Sequence, residues 1–238
     1  MKKIAFGIAL VVLLYSAIVF AGSNATSGLT AQTFIDRVRY DLNAEATTDT
    51  FFSNTILLQW IDEALKIIAS TTRCMESSET VTLTSNTISY SISTGHYDIS
   101  HVIYDSGVTD SSTRFSILLR TIPGIPIPEQ QKRPKFWWEW ESKLNVFPVP
   151  NSEISGTTVI AYLVSTPTSI SAASDSITTP AYFDAAILYY VKAKGYFRER
   201  SDDKGVKYLE MFNSLLNDYK NRLLYREVPQ SVSQEGAK

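Results

Sequence analysis

The stretch that most restricts how this chain folds runs from Thr179 to Arg226. Two apolar stripes at helical spacing lie on either side of Ser201-Asp202-Asp203, which predicts two long helices joined by a tight acidic turn. Thr179 stands at an N-cap position with Pro180 after it, where a missing N–H costs nothing. Ser201 is the matching cap for the second helix. Phe183, Ile187, Tyr190 and Val191 share one face of the first helix, and Tyr182, Ala186, Tyr189, Ala193 and Tyr196 a neighbouring one. Leu209, Phe212, Leu216, Tyr219 and Leu223 form the stripe of the second. An apolar surface that wide needs contact on more than one side. Core packing accounts for most of it. The surplus of Tyr182, Tyr189 and Tyr196 points to a neighbouring subunit, because tyrosine is enriched at interfaces.

Two further helices are expected near the other end. Thr30 caps a helix carrying Phe34, Ile35, Val38 and Leu42 on one side, with Asp36, Arg37, Arg39 and Asp41 on a solvated face. Ser53 or Asn54 opens the next, in which Leu57, Trp60, Ile61, Ala64, Leu65 and Ile68 recur at three and four. The period then switches to two. Val81 and Leu83, and after them Ile88, Tyr90 and Ile92, alternate with Thr and Ser around Thr84-Ser85-Asn86, which reads as a hairpin. Further strands are expected over His96–Tyr104 and Phe115–Thr121, over Lys135–Glu141 and Lys143–Pro150 around Ser142, and over Thr157–Ser165, which is β-branched and aromatic on both faces. Between them, Ile122–Pro134 holds Pro123, Pro126, Pro128 and Pro134, a density that excludes a helix or central strand and predicts an extended arm.

The expected fold is therefore α+β, mainly a helical bundle of two N-terminal and two long C-terminal helices, with a β-rich insertion of hairpins between them. Its divisions are a leader over 1–21, a flexible spacer over 22–28, a single domain over 29–226 with its β-rich middle at about 79–165, and a loose tail over 227–238. The leader has the form of a signal peptide or membrane anchor: Lys2 and Lys3, an uncharged apolar run from Ile4 to Phe20, then Ala21.

Little in the sequence supports catalysis. The chain has 238 residues, 44% of them hydrophobic, enough for one substantial core or two small ones. A net charge of −2 excludes a basic nucleic-acid footprint. The single cysteine, Cys74, excludes an intramolecular disulfide. None of the 10 glycines falls in a phosphate-loop or dinucleotide fingerprint. His96 and His101 fall on opposite strand faces with no carboxylate cluster to complete a metal shell, so neither metal nor cofactor is expected. The run Phe136-Trp137-Trp138-Glu139-Trp140-Glu141 is the strongest patch. Glycosidase carboxylates flank a bond from opposite sides, whereas Glu139 and Glu141 stand two apart on one strand, so a hydrolase is the remotest reading. As packing or as an interface the run is better placed, tryptophan being a favoured hot-spot residue.

The order of parts resembles the head–tail connector, or adaptor, proteins of tailed bacteriophages. The matching pieces are Trp60-Ile61-Asp62-Glu63-Ala64, Phe147-Pro148-Val149-Pro150, Tyr162 with Pro167, and Pro180 to Tyr190, spanning about Thr30 to Leu224. The resemblance implies a non-enzymatic structural protein of the virion, assembled in the host cytoplasm. It implies a homo-oligomeric ring, commonly of twelve copies, bound to the portal protein and a tail component. DNA passes through the ring's channel without sequence-specific binding. The expected subunit or portal interface comprises Trp137, Trp138, Trp140, Pro126, Pro128, Tyr182, Tyr189 and Tyr196. A connector needs no leader, which leaves a second reading: an exported or inner-membrane-anchored binding protein that uses the Trp-rich hairpin for glycan or protein contact.

Overall fold

The structure, a computed structural model, describes residues 26–44, 51–108, 114–122 and 133–227, the last six of these as backbone only. The leader, Pro126 and Pro128, and the tail from 228 on lie outside the described residues. The chain divides into two compact units, one formed by Met1–Cys74 with Pro167–Lys238 and the other by Met75–Thr166.

In the first unit, helix α1 spans Ala31–Asp41 and α2 spans Asn54–Thr72. Ser53 caps α2, its hydroxyl accepting the Ile56 N–H at 3.4 Å, and Arg73 ends it in the left-handed conformation. The spacing read from the sequence puts Leu57, Ile61, Ala64, Leu65 and Ile68 on the buried face. Helices α3, Asp184–Arg198, and α4, Asp202–Glu227, pack on each other. The first turn of α4 carries a glycine, Gly205, at which a Cβ would lie 2.6 Å from the Phe197 ring of α3. The start of α3 differs from expectation. Thr179 does not cap it; Pro180 leads into a 3-10 turn over Ala181–Phe183, and α3 begins at Asp184. The backbone of Thr179 is engaged elsewhere, its carbonyl accepting the Ser27 N–H at 3.0 Å, and its hydroxyl is buried without a partner. Phe34, Ile35 and Val38 of α1 join the α2 face, Phe183, Ile187 and Val191, and Phe212 and Leu216 of α4 in one core.

Two polar devices hold this unit's irregular segments. Arg39, which the helical pattern placed on a solvated face, is buried: its guanidinium donates to the Ala44 carbonyl at 3.2 Å, the Phe52 carbonyl at 2.7 Å and Asn54 Oδ1 at 2.9 Å. The Ser/Thr/Ala-rich loop ahead of α3 is pinned by two aspartates. Asp62 accepts the Ile170 N–H at 2.9 Å, and the Asp175 carboxylate accepts those of Ser171 and Ala172 at 2.8 Å each. Backbone bonds from Ala31 to Asp175 and from Gln32 to Ala173 tie α1 to the same loop.

The N–H donors of Ala172 and then Ser171 hold the Asp175 carboxyl below the usual carboxylate range. A depressed folded-state value contributes stability above the unfolded value that is lost as pH falls through the folded one. The melting temperature of wild type should therefore fall more steeply than that of Asp175→Asn as pH drops from about 4 toward 2, with the variant less stable at neutral pH. Parallel acid limbs would show that this carboxylate does not hold the loop.

The second unit contains strands β1 Glu76–Thr82, β2 Ser89–Ser91, β3 His96–Asp105, β4 Phe115–Arg120, β5 Phe136–Trp140, β6 Lys143–Phe147 and β7 Thr158–Ser165. They form one sheet in the order β1-β7-β3-β4-β5-β6-β2, antiparallel except for β4 with β5. The strands at the two ends of that order, β1 and β2, are joined by residues 83–88 alone. Six residues reach at most about 20 Å, so the sheet must curl until its ends approach. The result is nearly closed and barrel-like. Val102, Leu118, Trp137, Leu144, Val146, Val159 and Ala161 meet in its core.

A mainly helical bundle carrying hairpins is thus not what the chain forms. Seven strands make one nearly closed sheet, beside four α-helices among the described residues. The expected hairpin of Val81–Leu83 with Ile88–Ile92 is also absent as a pair: β1 pairs with β7, and β2 with β6. Alternation marks a strand and its faces but carries no information about its partner. The hairpin around Ser142 does form, with Glu141 and Ser142 both at positive φ (51° and 55°), as a two-residue connection requires.

Candidate interaction surface

Strand alternation puts Phe136, Trp138 and Trp140 on one face of β5 and Trp137 and Glu139 on the other. The structure decides which face is inside. Trp137 is 1% exposed, while Trp138 is half-buried and Trp140 is 61% exposed. Arg120 lies over the Trp137 ring, 5.2 Å from its centroid. Trp137 therefore belongs to the barrel core, and Trp138 and Trp140 are the outward members of the run.

Glu139 meets a partner that the sequence did not suggest. Its Oε1 lies 3.0 Å from Nε2 of His96, whose Nδ1 is 2.5 Å from the Ser93 carbonyl oxygen. The register explains the meeting. β4 pairs with β3 from Asp105↔Phe115 to Val102↔Leu118 and with β5 at Leu119↔Phe136 and Arg120↔Trp137. Beyond Arg120, the first half of β3 and the last half of β5 flank the place β4 has vacated. His96–Glu139 ties β3 to β5 across that seam, and Asp98–Arg120, at 3.2 Å, ties β3 to the end of β4. Bulges in β3 between His96 and Asp98 and between Ile99 and His101 change the strict alternation on which the opposite-face reading of the histidines rested. His101 instead stacks on Tyr162, with centroids 4.3 Å apart. Among the described residues, no group of three or more His, Cys, Asp or Glu side chains is arranged to hold a metal ion.

The outward face of this sheet is apolar across several strands. Leu119 stands beside Phe136, which is opposite Phe147; Ile117 is opposite Ile103, which is opposite Ile160. Ile117 is 71% and Leu119 63% exposed, and Phe115 on the same side of β4 is half-exposed. The charges nearby are paired. Arg114 donates to both oxygens of Asp105, at 2.8 and 2.9 Å, which holds that carboxyl below its ordinary value and pushes the guanidinium up. The sequence reading took Phe115–Thr121 only as a strand and missed this face. Alternation alone would have turned Phe115, Ile117 and Leu119 inward, since the other parity of Phe115–Arg120 holds Ser116, Leu118 and Arg120, of which only Leu118 is apolar.

In the first unit, part of the tyrosine surplus is used by α4. Tyr196 stacks on Tyr208, with centroids 5.4 Å apart, and Tyr189 lies 6.1 Å from the same ring. Tyr182 donates to Asp218 at 3.0 Å and packs on Tyr219. Burial, followed by Glu63, pushes the Tyr190 hydroxyl well above the usual phenol range, and Lys194 reaches the same Glu63 at 3.1 Å. The tyrosines thus form an inter-helix aromatic seam, of which Tyr182 keeps the largest outward share.

Among the described residues, no helix is long and apolar enough to cross a membrane. Comparison with curated proteins finds no match. A family model does match, that of the SU10 adaptor protein, over residues 29–233, a span that takes in every described helix and strand of both units. That match covers well over half of the chain, and the chain belongs to the SU10 adaptor protein family, a family of phage head–tail adaptors.

Proposed function

We propose that the protein is a non-enzymatic ring adaptor that joins the portal of a phage head to the next tail component, with DNA passing through the ring's channel. The observation that carries this reading is the family match over 29–233, which spans both compact units and so takes the whole fold as the adaptor. A family of phage structural proteins makes the chain a virion component; assembly in the host cytoplasm, in about twelve copies, is the arrangement we propose by resemblance. Trp138, Trp140, Tyr182, Tyr189 and Tyr196 are the outward or half-buried aromatics proposed to meet the portal or a neighbour. Pro126 and Pro128 belong to the stretch proposed to reach along that partner. Trp137 supports such a surface from inside the barrel rather than by contact. A net charge of −2 fits passage of DNA without binding to its phosphates.

The test is to mix the purified full chain with its cognate portal. The expected result is co-sedimentation with portal oligomers and annular particles in electron micrographs, unchanged by nuclease. A chain that ignores portals, procapsids and tail components alike would remove the reading.

A further inference from the structure

We infer that His96 and Glu139 form a proton-gated latch across the rim of the second unit's barrel, shut while the His96 ring carries both of its N–H protons and released when one leaves. The inference goes beyond the adaptor reading and does not depend on it.

Both ring nitrogens of His96 face acceptors. Nδ1 lies 2.5 Å from the Ser93 carbonyl oxygen and Nε2 lies 3.0 Å from Glu139 Oε1. A carbonyl and a carboxylate accept hydrogen bonds and donate none, and a neutral imidazole has one N–H and one lone pair. The neutral ring therefore satisfies one of the two contacts and turns its lone pair against an acceptor in the other. The doubly protonated ring satisfies both. The side chain is 3% exposed, so neither nitrogen has water to turn to, and an unmet contact there is costly.

The neighbours decide which contact yields. Ser93 is fixed in the backbone three residues before His96, and its N–H is held by Glu79 Oε2 of β1 at 2.8 Å. Glu139 is held by its side chain, which is 25% exposed and can rotate into solvent. The neutral ring thus keeps Nδ1–H on Ser93, gives its other proton to water and lets Glu139 go. The remaining charges do not take its place. Asp98 of β3 pairs with Arg120 of β4, Lys143 of β6 stands opposite Trp140, and the β7 residue opposite His96 is the uncharged Ser165. Since β4 lies between β3 and β5 only as far as Arg120, release of Glu139 loosens the rim there and frees the part of β5 that carries Trp138 and Trp140.

The sign follows from the proton count. The shut latch binds one proton more than the open one, so raising the pH favours opening, by about tenfold in the open-to-shut ratio per pH unit above the transition. Histidine is the side chain whose charge changes between about pH 5 and 8.

The experiment follows amide hydrogen exchange and tryptophan emission of the full chain from about pH 5.5 to about pH 8. Glu139→Gln is the informative variant, because its amide can donate to the neutral ring and accept from the charged one. It should keep the rim shut throughout, while wild type matches it at the acid end and exchanges progressively faster, at equal pH, over 93–98 and 137–141. Glu139→Ala should exchange fast over the same stretches at every pH, with a far-ultraviolet circular dichroism spectrum like that of wild type. The emission change should appear in wild type and in His101→Gln, which removes the other of the chain's 2 histidines, and vanish in both Glu139 variants. Wild type and Glu139→Gln tracking each other across the range would overturn the inference. So would an alanine variant as protected as wild type at the acid end, or an emission change that survives in Glu139→Gln.

Discussion

Arg39→Ala should lower the stability of the first unit by about 2–5 kcal/mol, a large fraction of what a domain of this size has. The guanidinium is 5% exposed and satisfies three acceptors contributed by two stretches of chain. Its removal leaves the carbonyls of Ala44 and Phe52 buried without those donors, and an unsatisfied buried acceptor costs about 1–3 kcal/mol each. Arg39→Lys should recover only part of the loss, because an ammonium on a flexible stem cannot span three acceptors set around a planar fork. Denaturant unfolding followed by far-ultraviolet circular dichroism reads the difference. A loss below about 1 kcal/mol would mean that the segments at Ala44 and Phe52 are held by other means.

Trp137→Ala should destabilise the second unit by about 3–5 kcal/mol, while Trp140→Ala, further along the same strand on the opposite face, should change stability by no more than about 0.5 kcal/mol. The two side chains differ in kind of environment, not in chemistry. Trp137 fills the barrel among Leu118, Leu144 and Val146, so its loss leaves a cavity that a nearly closed sheet relaxes into poorly. Trp140 stands in solvent at the end of its strand. If Trp140 serves an assembly contact, its replacement should alter association and leave the unfolding midpoint of the isolated chain where it was. Equal midpoint shifts at the two positions would contradict the packing described for β5.

What the sequence makes legible here is local. Spacing at three and four locates α2 to within a residue or two, and of the two expected openers, Ser53 and Asn54, it is Ser53 that caps it. The turn expected at Ser142 does join β5 to β6, with Glu141 leaving the strand to share it. Partner choice is not local. β1 runs beside β7, far along the chain, and nothing in Val81 or Leu83 announces it. Alternation along β5 shows that Trp137 is opposed to Trp138 and Trp140, but only the completed sheet shows which side is core. Arg39 illustrates the same limit: its charge pattern is that of a wet helix face, and its acceptors come from a segment whose path the pattern does not contain. Ile117 and Leu119 are a different case. They share a parity with Phe115 that alternation alone would turn inward, yet the sheet buries Leu118 of the opposite parity and leaves them exposed.

The path of the chain through the sheet carries one more consequence. The second unit is entered at β1 and left at β7, and these are neighbours: Glu76 pairs with Val164, and the Ser165 N–H bonds the Met75 carbonyl at 2.7 Å. Insertions whose ends meet place little constraint on their host. The second unit is in this sense an insertion in the sequence whose two ends leave it side by side. A lineage can exchange or resurface it, and with it the identity of whatever it touches, without redrawing the helices that carry it.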